Sequence, residues 1–412
     1  MSNSASPTGA PAVAAPLAGI RILALEGFIA GPYASMWLAD MGAEVIKVEE
    51  PGTGDPARSL PPLRGEDDPR SLALLRANRN KKSVTLNLKT EQGIALFERL
   101  LATADVVIEN LRPDALERLG LTYERMRTIN PRIIYTSISG LGHKDLMPGP
   151  YTDWPAFDVI GHAMAGLMFR PERSDPRPAY LGFPVGDLYA ATVAVSGTLQ
   201  ALFQRVTTGV GQRVDIAMYD ASVVLNELAL VMQTALGVTP RPGLHALTSP
   251  FGAYRASDGF IAIAVLGEKI WERFCHAIDR MDLFADPTLQ NGIDRHAQSA
   301  SLTRIIEDWL RDRTRVDATR HLVDHGVPAA PIQDVAEIAA CPQVAAREML
   351  MTIDDPGWGP IRVAGQPIKA SGSPPTPSRP PPRLGEHTRD ILREIGAVKD
   401  GEFDALHTNG IV

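Results

Sequence analysis

"LAGIRILALEGFIAGPYASMWLADMGAEVIKVEE" (residues 17–50) is the stretch on which the fold reading turns. "RILAL" is a short apolar run suited to a buried strand. "GPYASMWLADMG" spaces its apolar residues as a helix does, with Gly31-Pro32 at its start and Gly42 at its end. "AEVIKVEE" then reads as a second strand. Strand, helix and strand within about 35 residues make a βαβ unit, whose strands run parallel. The alternation continues outward: "SVTLNL" (83–88), "DVVIENL" (105–111) and "PRIIYTSISGLG" (131–142) are strands, with helical patterns between them. An open α/β sheet follows, with ligand sites expected at the carboxyl ends of its strands. The loop "LALEGFIAGPYAS" lacks a G-x-G-x-x-G, which weighs against a dinucleotide dehydrogenase.

From Asp187 to about Leu236 the pattern reads as helical. A Gly/Pro loop, two strands around "ASDG" (256–259) and helices at 268–278 and 301–313 then suggest a smaller α+β module. The expected division is a flexible tail at 1–15, a large domain from 16–224, a small domain from 225–330, and a return to the large domain over 331–412. A chain of 412 residues, 44% hydrophobic, can bury that much core. Its net charge of −7 offers no broad basic field to nucleic acid. No apolar run is long enough to span a bilayer, and the N-terminus has no signal-peptide pattern. Cys275 and Cys341 form neither a disulfide framework nor a metal spacing. A cytoplasmic, small-molecule protein is expected by exclusion.

Several candidate motifs carry little. His321 and His325 share a helical face without a third metal ligand nearby. There is no G-x-S-x-G elbow and no cysteine in a catalytic context. "RANRNKKS" (76–83) gathers Arg76, Arg79, Lys81 and Lys82 before a strand, as a solvated turn or as a phosphate-binding patch. "YLGFPVGDLYAATVAVSGTLQAL" (180–202) sets Asp187 at the head of an apolar helical stripe. Read alone, that acid is a helix cap.

The ordered motifs, taken together, resemble the class III CoA-transferase family, which includes acyl-CoA racemases. The resemblance rests on residues 16–58, 78–93 and 104–142, then on "FDVIGHAMAGLM" (157–168), "GDLYAATVAVSGTLQAL" (186–202), "GQRVDIAMYDA" (211–221), "SPFGAYRASDGFIAIAV" (249–265) and "RLGEHTRDIL" (383–392). It implies a Rossmann-like large domain with a parallel sheet, a smaller α+β domain, and an interlocked homodimer. It implies that Asp187 is the nucleophile attacking an acyl-CoA thioester. CoA is then moved to a small carboxylic acid through an aspartyl anhydride and an aspartyl-CoA thioester. No cofactor is held permanently; the CoA thioester is itself a substrate. An aspartate of ordinary pKa, about 3.9, would be ionised at neutral pH and need no separate base.

The resemblance also places Asn110, Arg118 and Leu119 against CoA, with Ser139 and Gly140 in a strand-end loop of the same site. Arg79 and Lys81 are phosphate candidates. Gly186, and Gly252 in the loop from Ser249, are candidate oxyanion donors. Ile29 and Ser139 stand where the oxalate-metabolising branch has Gln and Lys, which argues against formyl or oxalate specificity. Arg241 and His245 are candidates to hold a distal carboxylate, as in succinyl-CoA. Two alternatives stand beside the transferase. One is a racemase using Asp187 and a displaced histidine, although His162 lies five residues beyond Phe157 and is expected to face elsewhere. The other is a non-catalytic CoA-binding protein.

Overall fold

The computed structural model describes residues 14–66, 68–168, 178–240, 245, 247–399 and 401–412. Six strands form one parallel sheet: β1 (Arg21–Leu25), β2 (Glu44–Glu49), β5 (Lys82–Thr85), β6 (Val106–Glu109), β7 (Ile134–Ser139) and β8 (Arg213–Ala217). The two-residue strands β3 (Leu63–Arg64) and β4 (Arg70–Ser71) pair apart from it. The order across the large sheet is β5-β2-β1-β6-β7-β8. The chain therefore winds outward from β1 in one direction, returns, and winds outward from β6 in the other. The switch between β1 and β6 opens a crevice at the carboxyl ends of those strands.

β8 lies within the stretch read as helical from Asp187 onward. It is five residues, "RVDIA", between two helices, too short for its alternation to register against its surroundings. The strands of a parallel sheet are covered on both faces, and the cores show it. One face packs Leu96, Phe97 and Leu100 of α3 (Glu91–Leu101) with Ile391, Leu392, Ile411 and Val412 near the C-terminus. The other packs α1 (Ala30–Asp40) and α7 (Val185–Thr208), using mostly small residues: Ala30, Ala34, Ala190, Ala191 and Ala194. Between these in sequence lie α2 (Leu72–Leu75), α4 (Ala115–Arg118), α5 (Tyr123–Ile129) and α6 (Asp158–Met164). α8 (Met218–Leu225) and α9 (Glu227–Leu236) follow β8.

The chain divides into two compact units. One comprises 1–167, 180–225 and 345–412, and the other 168–179 and 226–344. The second is built on the antiparallel strands β9 (Phe251–Ala256), β10 (Gly259–Ala264) and β11 (Ala329–Pro331), in the order β11-β10-β9. Its core gathers Trp271, Phe274, Leu302, Ile306 and Leu322. β12 (Leu350–Asp355) and β13 (Gly359–Ala364) form a hairpin in the first unit.

Candidate active site

A cavity of about 680 Å³ sits at the carboxyl end of the large sheet, within the first unit. Its walls are the segments following β1, β2, β5, β6 and β7, together with Asp187 and Met218. The volume is that of a small-molecule site.

Buried charge holds the loop after β1 in place. Lys47, between Ile46 and Val48 in the middle of β2, has no exposure, and its Nζ lies 2.7 Å from Asp55 Oδ2. Lys81 Nζ lies 2.6 Å from Glu26 Oε1 and donates to the carbonyl of Pro32. Burial brings the Lys81 ammonium down to about 8, even with Glu26 beside it. Asp55 Oδ1 accepts the backbone N–H of Phe28 at 3.1 Å. Phe28 has φ of 61°, a left-handed conformation that a bulky residue seldom adopts unless its surroundings compel it. Asn110 closes the other side: its Nδ2 donates to Gly27 O at 2.9 Å, and its Oδ1 accepts Gly27 N–H at 3.0 Å.

Asp187 stands in the first turn of α7, whose N-cap, Pro184, makes no side-chain capping bond. The free N–H groups of that turn are instead taken by α6. Gly186 donates to His162 Nε2 at 3.0 Å, and the Asp187 backbone donates to Asp158 Oδ1 at 3.0 Å. Tyr180 donates its hydroxyl to Asp158 Oδ2 at 3.0 Å and stacks on the His162 ring. Among the described residues the Asp187 carboxylate has no hydrogen-bond partner, and it forms part of the cavity wall. Burial, reinforced by the nearby Asp158 charge, pushes its pKa up to about 7, with Arg76 pulling the other way. The expectation of an ordinary, fully ionised aspartate is corrected accordingly: desolvation disfavours its charge. Such a group can attack an electrophile once ionised, or carry a proton near neutrality.

Two substitutions probe this arrangement. Asp158→Asn removes the like charge but not the burial. It should therefore lower the midpoint of an Asp187-dependent pH profile below about 7 while leaving it above the ordinary 3.8. A pH–rate titration reads the shift. A Cβ at Gly186 would lie 2.9 Å from Asp158 Oδ1 and 3.2 Å from Ser222 Oγ. Gly186→Ala should cost about 1–3 kcal/mol of stability in a denaturant titration, because the hydrogen-bonded Asp158 side chain and Ser222 must shift to admit it.

The family model described as CoA-transferase family III matches residues 17–388. The chain belongs to CoA-transferase family III. It is 39% identical over 385 residues to the succinyl-CoA:mesaconate CoA-transferase of Haloarcula hispanica, covering 92% of this chain and 96% of that one. It is 34% identical to the succinate–glutarate CoA-transferase of Agrobacterium fabrum, covering 93% and 96%. Among solved structures, a CAIB/BAIF family protein from Brucella suis superposes with a TM-score of 0.79 at 33% identity, covering 93% of this chain and all of that one.

Against the expected CoA-transferase site, the structure brings Asn110, Leu119, Ser139, Gly140 and Asp187 to one cavity. Four of the assignments need correction. Arg79 is buried and bonded through Nη2 to Asp40 Oδ2 at 2.6 Å, so it is no phosphate ligand. Lys81 is committed to Glu26 in the same way. Asn110 keeps its expected place in the cavity wall, with both ends of its amide held by Gly27. Gly186 is no free oxyanion donor, since His162 takes its N–H. Ser139 Oγ accepts the N–H of Gly142, which shapes the loop, and Gly140 leaves room for Ala156. Arg118 is exposed and paired with Asp114. Gly252 lies within β9 opposite Ile263, a strand position rather than the expected loop, and it belongs to the second unit. His245, in that same unit, packs on Phe251 and accepts the N–H of Leu247; Arg241 lies outside the described residues.

His162 does not face elsewhere. It meets Asp158, four residues before it on α6, with Nε2 at 3.2 Å from Oδ1, and both reach the head of α7. Its ring is fully buried and its Nε2 faces Gly186 and Asp158. Sequence reasoning missed Glu26, Lys47, Asp55, Asp158 and Tyr180. Lys47 had a signal, since a lysine in the middle of "EVIKVE" contradicts a strand covered on both faces.

Proposed function

We propose that this chain transfers CoA from succinyl-CoA, or a similar dicarboxylic acyl-CoA, to a small carboxylic acid, with Asp187 as the nucleophile. The observation that carries the reading is the Asp187 carboxylate, without a hydrogen-bond partner among the described residues and set in a cavity wall at the switch point of the sheet with its backbone fixed by α6. The succinyl-CoA and dicarboxylic acids named for the relatives supply the substrate class.

In the proposed sequence an Asp187 carboxylate oxygen attacks the thioester carbonyl. The C–S bond breaks, CoA leaves as thiolate, and an acyl-aspartyl anhydride remains. The thiolate then attacks the aspartyl carbonyl, which releases the first acid as carboxylate and leaves an aspartyl-CoA thioester. The incoming carboxylate attacks that thioester, forming a second anhydride and thiolate. Attack of the thiolate on the new acyl carbonyl gives the product thioester and restores Asp187. No ATP enters, because every intermediate stays activated. Each would hydrolyse in open water, so a partly enclosed cavity serves the route.

Arg112, and Lys89 whose exposed ammonium pairs at the surface with Glu50, stand at the cavity wall and are the phosphate partners we assign in place of the buried Arg79 and Lys81. We further propose the interlocked homodimer: α9 has no buried residue and exposes Leu228, Leu230, Val231 and Leu236, an apolar surface that a second copy would cover. The test of function supplies succinyl-CoA with mesaconate, glutarate or malate and follows acyl-CoA products by chromatography. A new acyl-CoA, with succinate released in equal amount, is expected. Hydrolysis alone, or no reaction with any acid, contradicts the proposal.

A further inference from the structure

Two phenylalanines stand open on the cavity wall that carries Asp187: Phe28, in the loop after β1, and Phe157, the N-cap of α6. Phe28 is 43% exposed and Phe157 69%, so neither ring is spent on the core. Their centroids lie 6.1 Å apart with planes at 82°, an edge-to-face pair. Phe28 keeps its place in a left-handed conformation, its N–H fixed by an Asp55 that Lys47 in turn holds. Such strain persists only where the surroundings enforce it, and it clusters at sites that act on ligands. Phe157 precedes Asp158 in the chain, and Asp158 Oδ1 takes the Asp187 backbone N–H at 3.0 Å. Phe157 thus sits one residue from the group that places the nucleophile, and Phe28 sits against Phe157. The neutral polar side chains of the same wall are already engaged. Both ends of the Asn110 amide go to Gly27, and Asn87 is held by Gly410 and Lys89. Ser139 Oγ accepts from Gly142, and Thr152 Oγ1 exchanges hydrogen bonds with Gly149. Nearby, the Tyr180 hydroxyl is turned onto Asp158.

We propose that Phe28 and Phe157 make the site selective for carboxylic acids whose carbon chain carries no hydroxyl, so that plain or unsaturated dicarboxylic acids are taken ahead of hydroxy acids. This deepens the proposed function and rests on Asp187 being the nucleophile. The donor acyl group and the acceptor acid both react at Asp187. Each must therefore bring the carbons beside its carboxyl to this part of the wall. Methylene or alkene carbons gain contact with the aromatic rings there and give up only apolar hydration. A hydroxyl on the same carbon loses its water and meets no uncommitted amide or hydroxyl side chain among the described wall residues. At the acceptor step the Asp187 charge is absent too, because the residue is held as its CoA thioester. The wall thus selects against a substituent, and it acts on donor and acceptor alike. Both rings belong to the same unit as Asp187.

The test compares succinate with malate, which is succinate carrying one hydroxyl. Under the proposed function succinate must itself be an acceptor, since transfer from succinyl-CoA runs backwards through the same steps. Entry of isotope-labelled succinate into succinyl-CoA, and formation of malyl-CoA from each hand of malate, are followed by mass spectrometry. Wild type, Phe157→Ala, Phe157→Leu and Phe28→Ala are compared as the full chain, each checked for fold by circular dichroism. In wild type kcat/KM for succinate should exceed that for either malate roughly 10- to 100-fold, the range in which an apolar site rejects an added hydroxyl. Phe157→Ala and Phe28→Ala should bring the two acids to within about 3-fold of each other, while Phe157→Leu, still apolar, keeps most of the preference. Damage to the fold would slow both acids alike, so the ratio isolates the wall. A wild type that uses either malate within about 3-fold of succinate, or a preference left intact by both alanine variants, overturns the proposal. Absence of any succinate exchange in wild type instead overturns the proposed function and takes this one with it.

Discussion

Asp187→Asn is expected to lower CoA transfer at least ~10³-fold while making the protein more stable at neutral pH. The amide keeps the shape of the side chain but cannot form the anhydride. The stability gain follows from the buried charge. In the folded chain the carboxyl titrates near 7, against an ordinary 3.8, so the fold favours its protonated form. Folding stability is therefore undiminished below pH 3.8, falls as pH rises through the interval to about 7, and stays low above it. The shift corresponds to about 4 kcal/mol at most. Asparagine removes that cost, so denaturant unfolding at pH 7.5 should show a gain of about 2–4 kcal/mol, and the gain should vanish near pH 4. Loss of activity together with loss of stability would mean that Asp187 is structural.

The rate of thiol release should climb with pH through about 7, because only the ionised carboxylate attacks. Below that midpoint each pH unit removes a factor of ten, so release at pH 5 should be about 100-fold slower than the plateau. An aspartate with the ordinary pKa of 3.8 would give a flat profile from pH 5 upward. The pH at which the rate is half its plateau thus reports whether burial and Asp158 hold Asp187 in the state the structure gives it.

The parallel sheet was legible because "RILAL", "EVIKVE" and the strands after them are apolar runs separated by helix-length segments, a pattern that local chemistry writes directly. β8 was not, because five residues of alternation vanish between long helices. The site divides in the same way. Asp187 was visible as an acid between a glycine and a helix, and Asn110, Ser139 and Gly140 fell after strands, where the switch-point rule puts ligands. The direction of Arg79, Lys81 and Asn110 was not visible. Their partners lie 39, 55 and 83 residues away in sequence, and a cation's type says nothing of which acid will meet it. His162 illustrates the limit most clearly. Spacing from Phe157 suggested it would turn away, yet one turn of α6 separates it from Asp158, and both converge on α7. The pKa of Asp187 was equally hidden, since burial is a property of the assembled fold.

In the proposed route Asp187 is acylated by the donor thioester. Intact-protein and peptide mass spectrometry after incubation with succinyl-CoA, with hydroxylamine or borohydride trapping, tests it most directly. A trapped modification is expected on the peptide carrying Asp187, absent from Asp187→Asn. Transfer of CoA to an acceptor acid with no adduct at Asp187, or an adduct that persists in Asp187→Asn, would contradict it.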